Sequence, residues 1–373
     1  MAFKKIKLNQ KIKKAVLAMG SSTKNMICFA RDNLAYLGPL RSDLNAPEDF
    51  SGFERDVKRF LKKNPKIIAY DLHPEYQSTK YALALPSTYR LLPIQHHHAH
   101  IASCMADNGL KNQKVIGVAF DGTGLGLNNT LWGAEFLVCD YKNFQRKAHL
   151  REIPLLGGEK AILEPMRVAA VWLYLLYKDR FLNLDINFVK SIDRKKWGLL
   201  KKIYSTRFNS PLSNSMGRLF DAVASLVFAK YQVNFEAELA IMLEKTAASC
   251  SLNPTKGYNF KIIRKAEEYM IDPLLVFKEI VSDLRCKEAQ EIIAYRFHLT
   301  VAQMIKKVCS VLRRENRINK VALSGGVFQN KLLLRMSSDL LYKEGFEVFT
   351  HKELSCNDSG ISLGQALIAN FRS

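Results

Sequence analysis

Two histidines four residues apart are the first sign of chemistry in this chain. They lie in the run Gln-His-His-His-Ala-His at residues 95–100, where His96 and His100 share one face if the run is helical. Both imidazoles could then reach one metal ion. The same spacing also occurs on polar helix surfaces and around buried structural histidines, so the pair alone does not define a site. Zinc proteases place Glu directly after the first His; this chain has His97 there, which disfavours a protease.

Glycine loops follow two apolar strands. The strand predicted at 115–120 runs into Asp-Gly-Thr-Gly at 121–124, and the strand predicted at 321–323 runs into Ser-Gly-Gly at 324–326. Glycines let the backbone approach phosphate oxygens closely, and the threonine adds a hydroxyl. A plain turn would explain either loop by itself. Two such loops, one in each half of the chain, favour a nucleotide held in a cleft between two lobes.

Three further positions could serve the same cleft. Asp358 stands just before the last predicted helix, where a carboxylate commonly caps the helix. His73 follows a predicted strand and could line the cleft or fill a turn. Cys356 is a candidate nucleophile, but no neighbour in sequence marks an activated thiol, so we expect it to be packing.

The elements that position these residues alternate between strand and helix. Besides the two strands above, strands are predicted at 16–19, 26–30, 34–37, 66–70, 131–139 and 346–350. Helices are predicted at 53–63, 95–107, 166–177, 196–204, 216–230, 236–249, 289–314, 330–342 and 359–371. Strand hairpins followed by strand–helix units indicate an α/β fold with a mixed sheet.

Bulk composition is that of an ordinary globular protein with a basic surface. The 373 residues exceed one small core, so two domains or one two-lobed domain is expected. The net charge of +21 permits nucleic-acid binding, but the basic residues are scattered in short pairs, so we do not favour it. The 7 cysteines form no C-x-x-C pair, which favours a reducing cytoplasm. No apolar stretch approaches the ~20 residues of a membrane span.

Several motifs, taken in order, resemble the C-terminal catalytic region of the HypF family of hydrogenase-maturation carbamoyltransferases. They occupy residues 71–76, 95–100, 121–124, 132–136, 216–223, 323–330 and 357–365. The likeness extends over nearly the whole chain from about residue 16. The same region is similar to the tRNA threonylcarbamoyl transferase TsaD, which shares the histidine pair, the G-x-x-F-D-x-V-A helix and the G-G-V-x-x-N loop.

The resemblance implies an actin/hexokinase-like α/β fold of two RNase H-like lobes, with a nucleotide and metal cleft between them. We assign residues 12–150 to the N-terminal lobe, which carries the metal-binding helix, and residues 151–215 to a helical insertion. Residues 216–373 then form the C-terminal lobe, whose last helix could pack back on the first lobe.

The resemblance also implies one iron or zinc ion per chain and an ATP or AMP nucleotide, bound as carbamoyl-adenylate. The implied metal ligands are His96, His100, Asp121 and Asp358. The implied nucleotide contacts are Gly122, Thr123 and Gly124 at the phosphates, Gly217, Asp221 and Glu238 at the nucleoside, and Gly325, Gly326 and Asn330 closing over the nucleotide. The expected catalytic residues near the carbamoyl group are Lys24, Asn25 and His73.

The implied reaction is carbamoyl transfer from carbamoyl-adenylate to the C-terminal cysteine of a HypE-like acceptor. Complete HypF proteins carry an acylphosphatase domain, zinc fingers and a YrdC-like domain that makes carbamoyl-adenylate. No region here resembles the latter, so a separate YrdC-like partner is expected. The alternatives are a TsaD-type tRNA-modifying transferase and a non-catalytic nucleotide-binding regulator. The motifs at 71–76 and 132–135 favour HypF over TsaD, and the intact ligand set argues against the regulator.

The chain departs from the usual family pattern at a few positions. Asn128 and Asn129 stand where acidic or glycine residues are usual, Met166 where tryptophan is usual, and Ala237 where glycine is usual. These changes leave the implied metal ligands intact and bear on nucleotide affinity and on the acceptor.

Overall fold

A layer of helices between two β-sheets organises the fold. The computed structural model describes residues 3–127, 130–252 and 254–373. Asn128 and Asn129, two of the departures noted above, lie outside the described residues. Three buried apolar clusters join the layers, which run from two helices through a small sheet, a central helix pair and a larger sheet to an outer group of helices.

The first part of the chain builds the small sheet and the histidine helix. Its elements are β1 (Lys4–Ala18), β2 (Thr23–Asn25), β3 (Cys28–Leu37), β4 (Arg41–Asp43), α1 (Pro47–Leu61), β5 (Ile67–Asp71), α2 (Gln77–Leu83), β6 (Arg90–Ile94) and α3 (His96–Asp107). The small sheet has the strand order β3-β1-β5-β6, with β1 and β3 antiparallel and the other neighbours parallel.

The middle of the chain begins the large sheet and the outer helices. Its elements are β7 (Val115–Leu125), β8 (Leu131–Cys139), β9 (Phe144–Leu150), β10 (Ile153–Pro154), α4 (Lys160–Leu163), α5 (Met166–Tyr177), α6 (Asn187–Lys190), α7 (Arg194–Thr206), β11 (Leu212–Ser213), α8 (Met216–Phe228) and α9 (Glu238–Ala248). Strands β7, β8 and β9 form an antiparallel meander.

The last part completes the large sheet. Its elements are β12 (Lys261–Lys265), β13 (Glu268–Asp272), α10 (Leu274–Arg285), α11 (Gln290–Asn316), β14 (Lys320–Ser324), α12 (Lys331–Lys343), β15 (Glu347–Phe349) and α13 (Ile361–Arg372). Short 3-10 turns lie at Lys178–Asn183, Gly326–Gln329 and Asp358–Gly360. The main strand order is β12-β13-β9-β8-β7-β14-β15, in which β14 lies parallel to β7.

The predicted α/β class with a mixed sheet is confirmed. The helix predicted at 95–107 is α3, and the other predicted helices match observed ones within two residues at each end, except that α1 begins at Pro47 and not at 53. Strand β1 is much longer than the predicted 16–19. Its first half alternates exposed lysines with the buried side chains of Ile6, Leu8 and Ile12, the period-two pattern of a strand with one face on a core.

The two sheets divide the chain earlier than the lobe boundary predicted at residue 150. Strands β7, β8 and β9 belong to the same sheet as β14 and β15, so sheet membership changes between α3 and β7. The reason is pairing: Val321–Ser324 of β14 run parallel to residues 116–119 of β7. The predicted boundaries of the lobes and of the insertion remain predictions.

The central helix layer consists of α3 and α13, which cross at very short range. A methyl group added to Gly364 would lie 1.9 Å from the carbonyl oxygen of Ala99. Ser103 Oγ donates a hydrogen bond of 2.7 Å to the carbonyl of Gly360 at the start of the last helix. Gln365 Oε1 accepts from the backbone N–H of Gly20 at 2.9 Å, which joins α13 to the small sheet.

Among the described residues, no helix is both long and apolar enough to cross a membrane. The longest, α11, carries charged residues along its length and buries one face against the large sheet.

The close crossing of α3 and α13 generates a stability prediction. We expect Gly364→Ala to lower the free energy of unfolding by about 1–3 kcal/mol, because the new methyl group has no space beside the Ala99 carbonyl. Gly198→Ala is the matched control, since nothing lies within 4 Å of its added methyl group in the interior of α7. That control should gain about 0.5–1 kcal/mol from helix propensity. Urea unfolding of both variants decides, and equal stabilities would refute the close-packing argument.

Candidate metal centre

Four side chains converge at the end of the central helix layer. The ligand atoms of His96, His100, Asp121 and Asp358 all lie within 4.8 Å of one another. His96 Nε2 is 3.2 Å from Asp121 Oδ2 and 3.7 Å from Asp358 Oδ1. His100 Nε2 is 3.3 Å and 3.5 Å from the same two oxygens. The structure therefore brings together the four residues that the resemblance implies as ligands.

Three separate segments supply these side chains. The histidines lie one turn apart on α3, whose first turn is capped by Gln95 Oε1, which accepts from the His98 N–H at 2.9 Å. Asp121 lies in β7 where its pairing with β8 is irregular between Phe120 and Gly124. Such a bulge turns a side chain out of the ladder. Asp358 begins the short 3-10 turn before α13.

Both carboxylate oxygens of Asp121 have a defined role in the geometry. Oδ1 accepts hydrogen bonds from the backbone N–H groups of Gly122 at 2.8 Å and Gly326 at 3.1 Å. Oδ2 is thereby turned toward His96 and His100. The two glycine loops predicted to meet phosphates thus each donate one N–H to Asp121. The backbone N–H groups of the two loops that do not donate to Asp121 are still predicted to contact phosphates.

Asp71 orients His96 from behind. Its Oδ2 is 2.8 Å from His96 Nδ1, and both side chains are fully buried. A carboxylate only accepts, so Nδ1 donates its proton to Asp71, and Nε2 is the ring nitrogen that faces the cluster and would bind an ion. This is the usual support for a metal-binding histidine. The sequence analysis missed Asp71. This residue ends the apolar strand β5, much as Asp121 follows a run of apolar residues, and it is the first residue of the motif at 71–76.

The cluster holds concentrated negative charge. Burial acts to lower the pKa of His96, but Asp71 and Asp358 outweigh it and raise that pKa well above its usual value. Burial acts to raise the pKa of Asp121, but hydrogen bonds from His100 and His96 outweigh it and hold it well below its usual value. Among the described residues, no Lys or Arg pairs with Asp121 or Asp358 within 4.0 Å. A cation is the natural partner for this set of donors.

The donor set fits the metal that the resemblance implies. Two imidazole nitrogens and two carboxylate oxygens are ligands that both iron and zinc accept. The oriented Nδ1–H of His96 and the fixed Oδ1 of Asp121 leave one atom of each side chain free for an ion. Iron and zinc are not distinguished by this set.

The expected catalytic residues lie beside the cluster. Lys24 is exposed in β2, which packs against the 3-10 turn that contains Asp358. Asn25 is buried and donates from Nδ2 to the carbonyls of Met19 at 2.7 Å and Ser21 at 2.5 Å. His73 donates its backbone N–H to Asp71 Oδ1 at 2.9 Å and is not within the ligand group.

Tyr76 is a neighbour of the cluster that sequence reasoning did not assign. Its ring stacks on His73 at 4.3 Å with an angle of 6° between the planes. Its hydroxyl lies close enough to His96, Asp71 and Asp358 for their charges to act on its pKa, which burial raises. The motif at 71–76 therefore contributes Asp71, which orients His96, and Tyr76, an aromatic side chain beside the cluster.

The side chains expected at the nucleoside already hold protein partners. Asp221 Oδ2 lies 2.9 Å from Arg218 Nε in a buried ion pair. Glu238 pairs with Lys230 and accepts from the Asn234 N–H at 2.6 Å. Their contacts with a nucleotide remain predictions.

The residues expected to close over the nucleotide also make contacts within the protein. Asn330 Oδ1 accepts from the Leu333 N–H at 2.8 Å, and its Nδ2 donates to His298 Nε2 at 2.9 Å. Gly325 has φ +106°, and an added methyl group would lie 2.1 Å from the Phe120 carbonyl oxygen. The glycine is therefore required by contact with β7 whether or not a ligand is present.

The departure at Ala237 is also visible in the backbone. Ala237 adopts φ +67°, the left-handed conformation that glycine takes without strain, and it precedes the first turn of α9. A glycine at this position, usual in the family, is thus explained by the backbone alone. Met166 lies buried in the outer core at the start of α5.

The motif at 132–136 supports the first glycine loop from the neighbouring strand. A methyl group added to Gly133 would lie 2.7 Å from the carbonyl oxygen of Asp121. Glu135 is fully buried and accepts from Arg146 Nε at 2.6 Å and from Asn214 Nδ2 at 2.5 Å. The Arg146 guanidinium stacks over Trp132 at 4.3 Å.

Two family descriptions match the chain. Residues 11–107 match "HypF Kae1-like domain", and residues 117–365 match "Carbamoyltransferase, Kae1-like Domain, second subdomain". A carbamoyltransferase HypF of Synechocystis is 36% identical over 97% of this chain and 48% of its own length. A "Carbamoyltransferase HypF homolog" of Cupriavidus necator is 31% identical over 95% of this chain and 91% of its own length.

The fold has a close match among solved structures. Full-length HypF, crystallised in a phosphate- and nucleotide-bound form, superposes with a TM-score of 0.91 and 38% identity over 98% of this chain and 47% of that chain. The chain thus spans about half the length of this protein and of the Synechocystis relative.

The convergence of the four ligands generates a metal prediction. We expect about one iron or zinc ion per wild-type chain, and strong loss of metal in His96→Ala/His100→Ala, because half of the donors are removed. His98→Ala is the control on the same helix, since His98 Nε2 contacts the Asp140 carbonyl at 2.6 Å instead. Elemental analysis of folded protein measures the content. Full occupancy in the double variant would refute the assignment.

Proposed function

Since the chain belongs to the HypF family of carbamoyltransferases, we propose that it transfers a carbamoyl group from carbamoyl-adenylate to the C-terminal cysteine of a HypE-like acceptor protein in hydrogenase maturation. A YrdC-like domain or protein would supply the carbamoyl-adenylate. The observation that carries the proposal is the convergence of two histidines and two aspartates from three segments within 4.8 Å, beside two glycine loops.

His96, His100, Asp121 and Asp358 would hold the metal ion. When bound, the ion would act as a Lewis acid that polarises the carbamoyl carbonyl of the donor. The acceptor thiolate would attack the carbamoyl carbon, so that a C–S bond forms, the C–O bond to the phosphate breaks, and AMP leaves. Asp71 would keep the His96 ring oriented throughout this step.

The AMP phosphate would lie at the first glycine loop and the start of α8. The loop and the helix touch there, since a methyl group added to Gly217 would lie 3.1 Å from the Gly122 Cα. Backbone N–H groups at a helix N-terminus attract anions. Lys24 is an exposed cation in the strand beside Asp358 and would contact the phosphate or carbamoyl oxygens.

The nucleophile would come from the acceptor. Burial raises the pKa of the Cys356 thiol to about 11, so it is protonated at neutral pH and unsuited to attack. The thiol lies one residue from the Asp358 segment, but only its backbone carbonyl has a defined role, accepting from the Gly325 N–H at 2.9 Å.

A nucleotide-binding prediction follows from the first glycine loop. Gly122→Ala should weaken AMP binding about tenfold or more, because the methyl group would point into the space where backbone must approach the phosphate. Apart from its chain neighbours, the described atoms within 4 Å of that methyl group all belong to the flexible, exposed side chain of Glu236. The double variant Gly122→Ala/Glu236→Ala therefore controls for any effect of displacing the Glu236 side chain. Calorimetry with AMP measures affinity, and unchanged binding would mean that the loop is a turn.

The transfer reaction can be tested directly. The metal-loaded chain is incubated with a HypE-like acceptor, ATP, carbamoyl phosphate and a YrdC-like protein, and mass spectrometry seeks a carbamoyl adduct on the terminal cysteine. We expect transfer in the complete mixture, little or none without the YrdC-like protein, and strong loss with Asp121→Asn, which weakens a carboxylate ligand.

An acceptor with its terminal cysteine changed to alanine controls for modification elsewhere. Efficient transfer without the YrdC-like protein would refute a separate source of carbamoyl-adenylate. Transfer to tRNA in place of the acceptor would favour the TsaD-type alternative, and no transfer to either would favour a regulator.

A further inference from the structure

A buried chain of polar side chains leads away from His100. His100 Nδ1 lies 3.4 Å from Ser324 Oγ, and Ser324 Oγ lies 2.9 Å from His351 Nε2. His351 Nδ1 lies 3.5 Å from Asp107 Oδ2, an electrostatic contact rather than a hydrogen bond, and has no other polar partner among the described residues. Ser324 is fully buried, and the side chains of His351 and Asp107 are 4% and 2% exposed. None of the three belongs to the ligand set.

The direction of each hydrogen bond follows from the carboxylate at the far end. The polar group nearest to His351 Nδ1 is the Asp107 carboxylate, which attracts a proton on Nδ1, so Nε2 is the nitrogen that accepts. Ser324 then donates its O–H to His351, and its oxygen lone pair accepts the Nδ1–H of His100. This order leaves Nε2 of His100 as the ring nitrogen that faces Asp121 and Asp358 and would bind the ion.

Asp107 also fixes the segment that leads to Asp358. It accepts the backbone N–H groups of Lys352 at 2.7 Å, Leu354 at 3.2 Å and Glu353 at 3.2 Å. Burial acts to raise its pKa, but the nearby His351 imidazole and these backbone bonds outweigh burial and lower the pKa to about 2. Asp107 is thus an anion at neutral pH that joins α3 to the loop after β15.

We propose that Asp107, His351 and Ser324 form a positioning relay for the metal centre. The relay holds His100 in the Nδ1–H tautomer and, through the loop after β15, holds Asp358 against the same centre. The inference rests on the proposed metal-dependent function and deepens it by naming residues outside the ligand set.

The relay explains an asymmetry between the two histidines. His96 is supported by a direct carboxylate contact with Asp71 at 2.8 Å. His100 has no carboxylate on its Nδ1 side among the described residues, and its support from Asp107 arrives through two neutral groups. Removal of the partners behind metal-binding histidines lowers metal affinity about 10–100-fold in proteins generally. We expect the relay to act at the lower end of that range.

Cobalt(II) provides the test, because its visible absorption reports ligand geometry separately from turnover. Ser324→Ala and His351→Leu remove the relay, and His351→Gln keeps an acceptor for the Ser324 hydroxyl. Ser337→Ala is the matched control, since that buried hydroxyl has no hydrogen-bond partner among the described residues. Each folded variant is titrated with cobalt against a chelator, with circular dichroism and thermal unfolding as checks on the fold.

We expect about tenfold weaker cobalt binding and a changed visible spectrum in Ser324→Ala and His351→Leu. His351→Gln should recover most of both, and Ser337→Ala should match the wild type. If the wild-type protein binds cobalt, and Ser324→Ala and His351→Leu bind it with the same affinity and the same spectrum, the relay is refuted and the metal centre is not. If the wild-type protein binds no cobalt, the proposed metal centre falls together with the relay.

Discussion

The Asp121 carboxylate is the interaction on which the rest of the site depends. One oxygen accepts from a glycine N–H on its own strand and from another on the loop after β14, and the other oxygen faces both histidines. Strands β7 and β14 are neighbours in the large sheet, so their loops meet at the same edge. A single side chain thereby fixes two loops relative to each other and to α3. The requirement for glycine at Gly326 follows, since an added methyl group would lie 2.8 Å from Asp121 Oδ1.

The central helix layer converts this local arrangement into a rigid one. Helix α3 packs on β7 and β14 on one side and on α13 on the other, and α13 packs on the small sheet. The close approach at Gly364 brings the turn containing Asp358 to the histidines. The small sheet thus holds one ligand in place, and the large sheet holds another. Neither sheet alone could assemble the cluster.

The sequence predicted the cluster better than it predicted the surroundings. The spacing of His96 and His100 allowed a shared ion without defining a site, and the motif resemblance was needed to add Asp121 and Asp358 as ligands. Asp71 was missed because a carboxylate at a strand end carries no mark of its target until the fold places α3 above it. The partners of Asn330 and Glu238 were missed for the same reason, since they lie in contacts made by tertiary packing. The start of β1 was missed because lysine is uncommon in strands and because Gln10, at a buried position, interrupts the apolar period of two.

The packing of the last helix against the first strand has a consequence for synthesis. Asn370 accepts from the Lys13 backbone N–H at 2.8 Å and donates to the Lys11 carbonyl at 3.2 Å, and the apolar face of β1 is buried in the same cluster as α13. During translation, β1 and α3 emerge long before α13 is made. Contacts of such large sequence separation form late, because the loop between them must first be closed. Until α13 has been synthesised, the apolar face of β1 lacks this cover, and the neighbouring lysines oppose self-association.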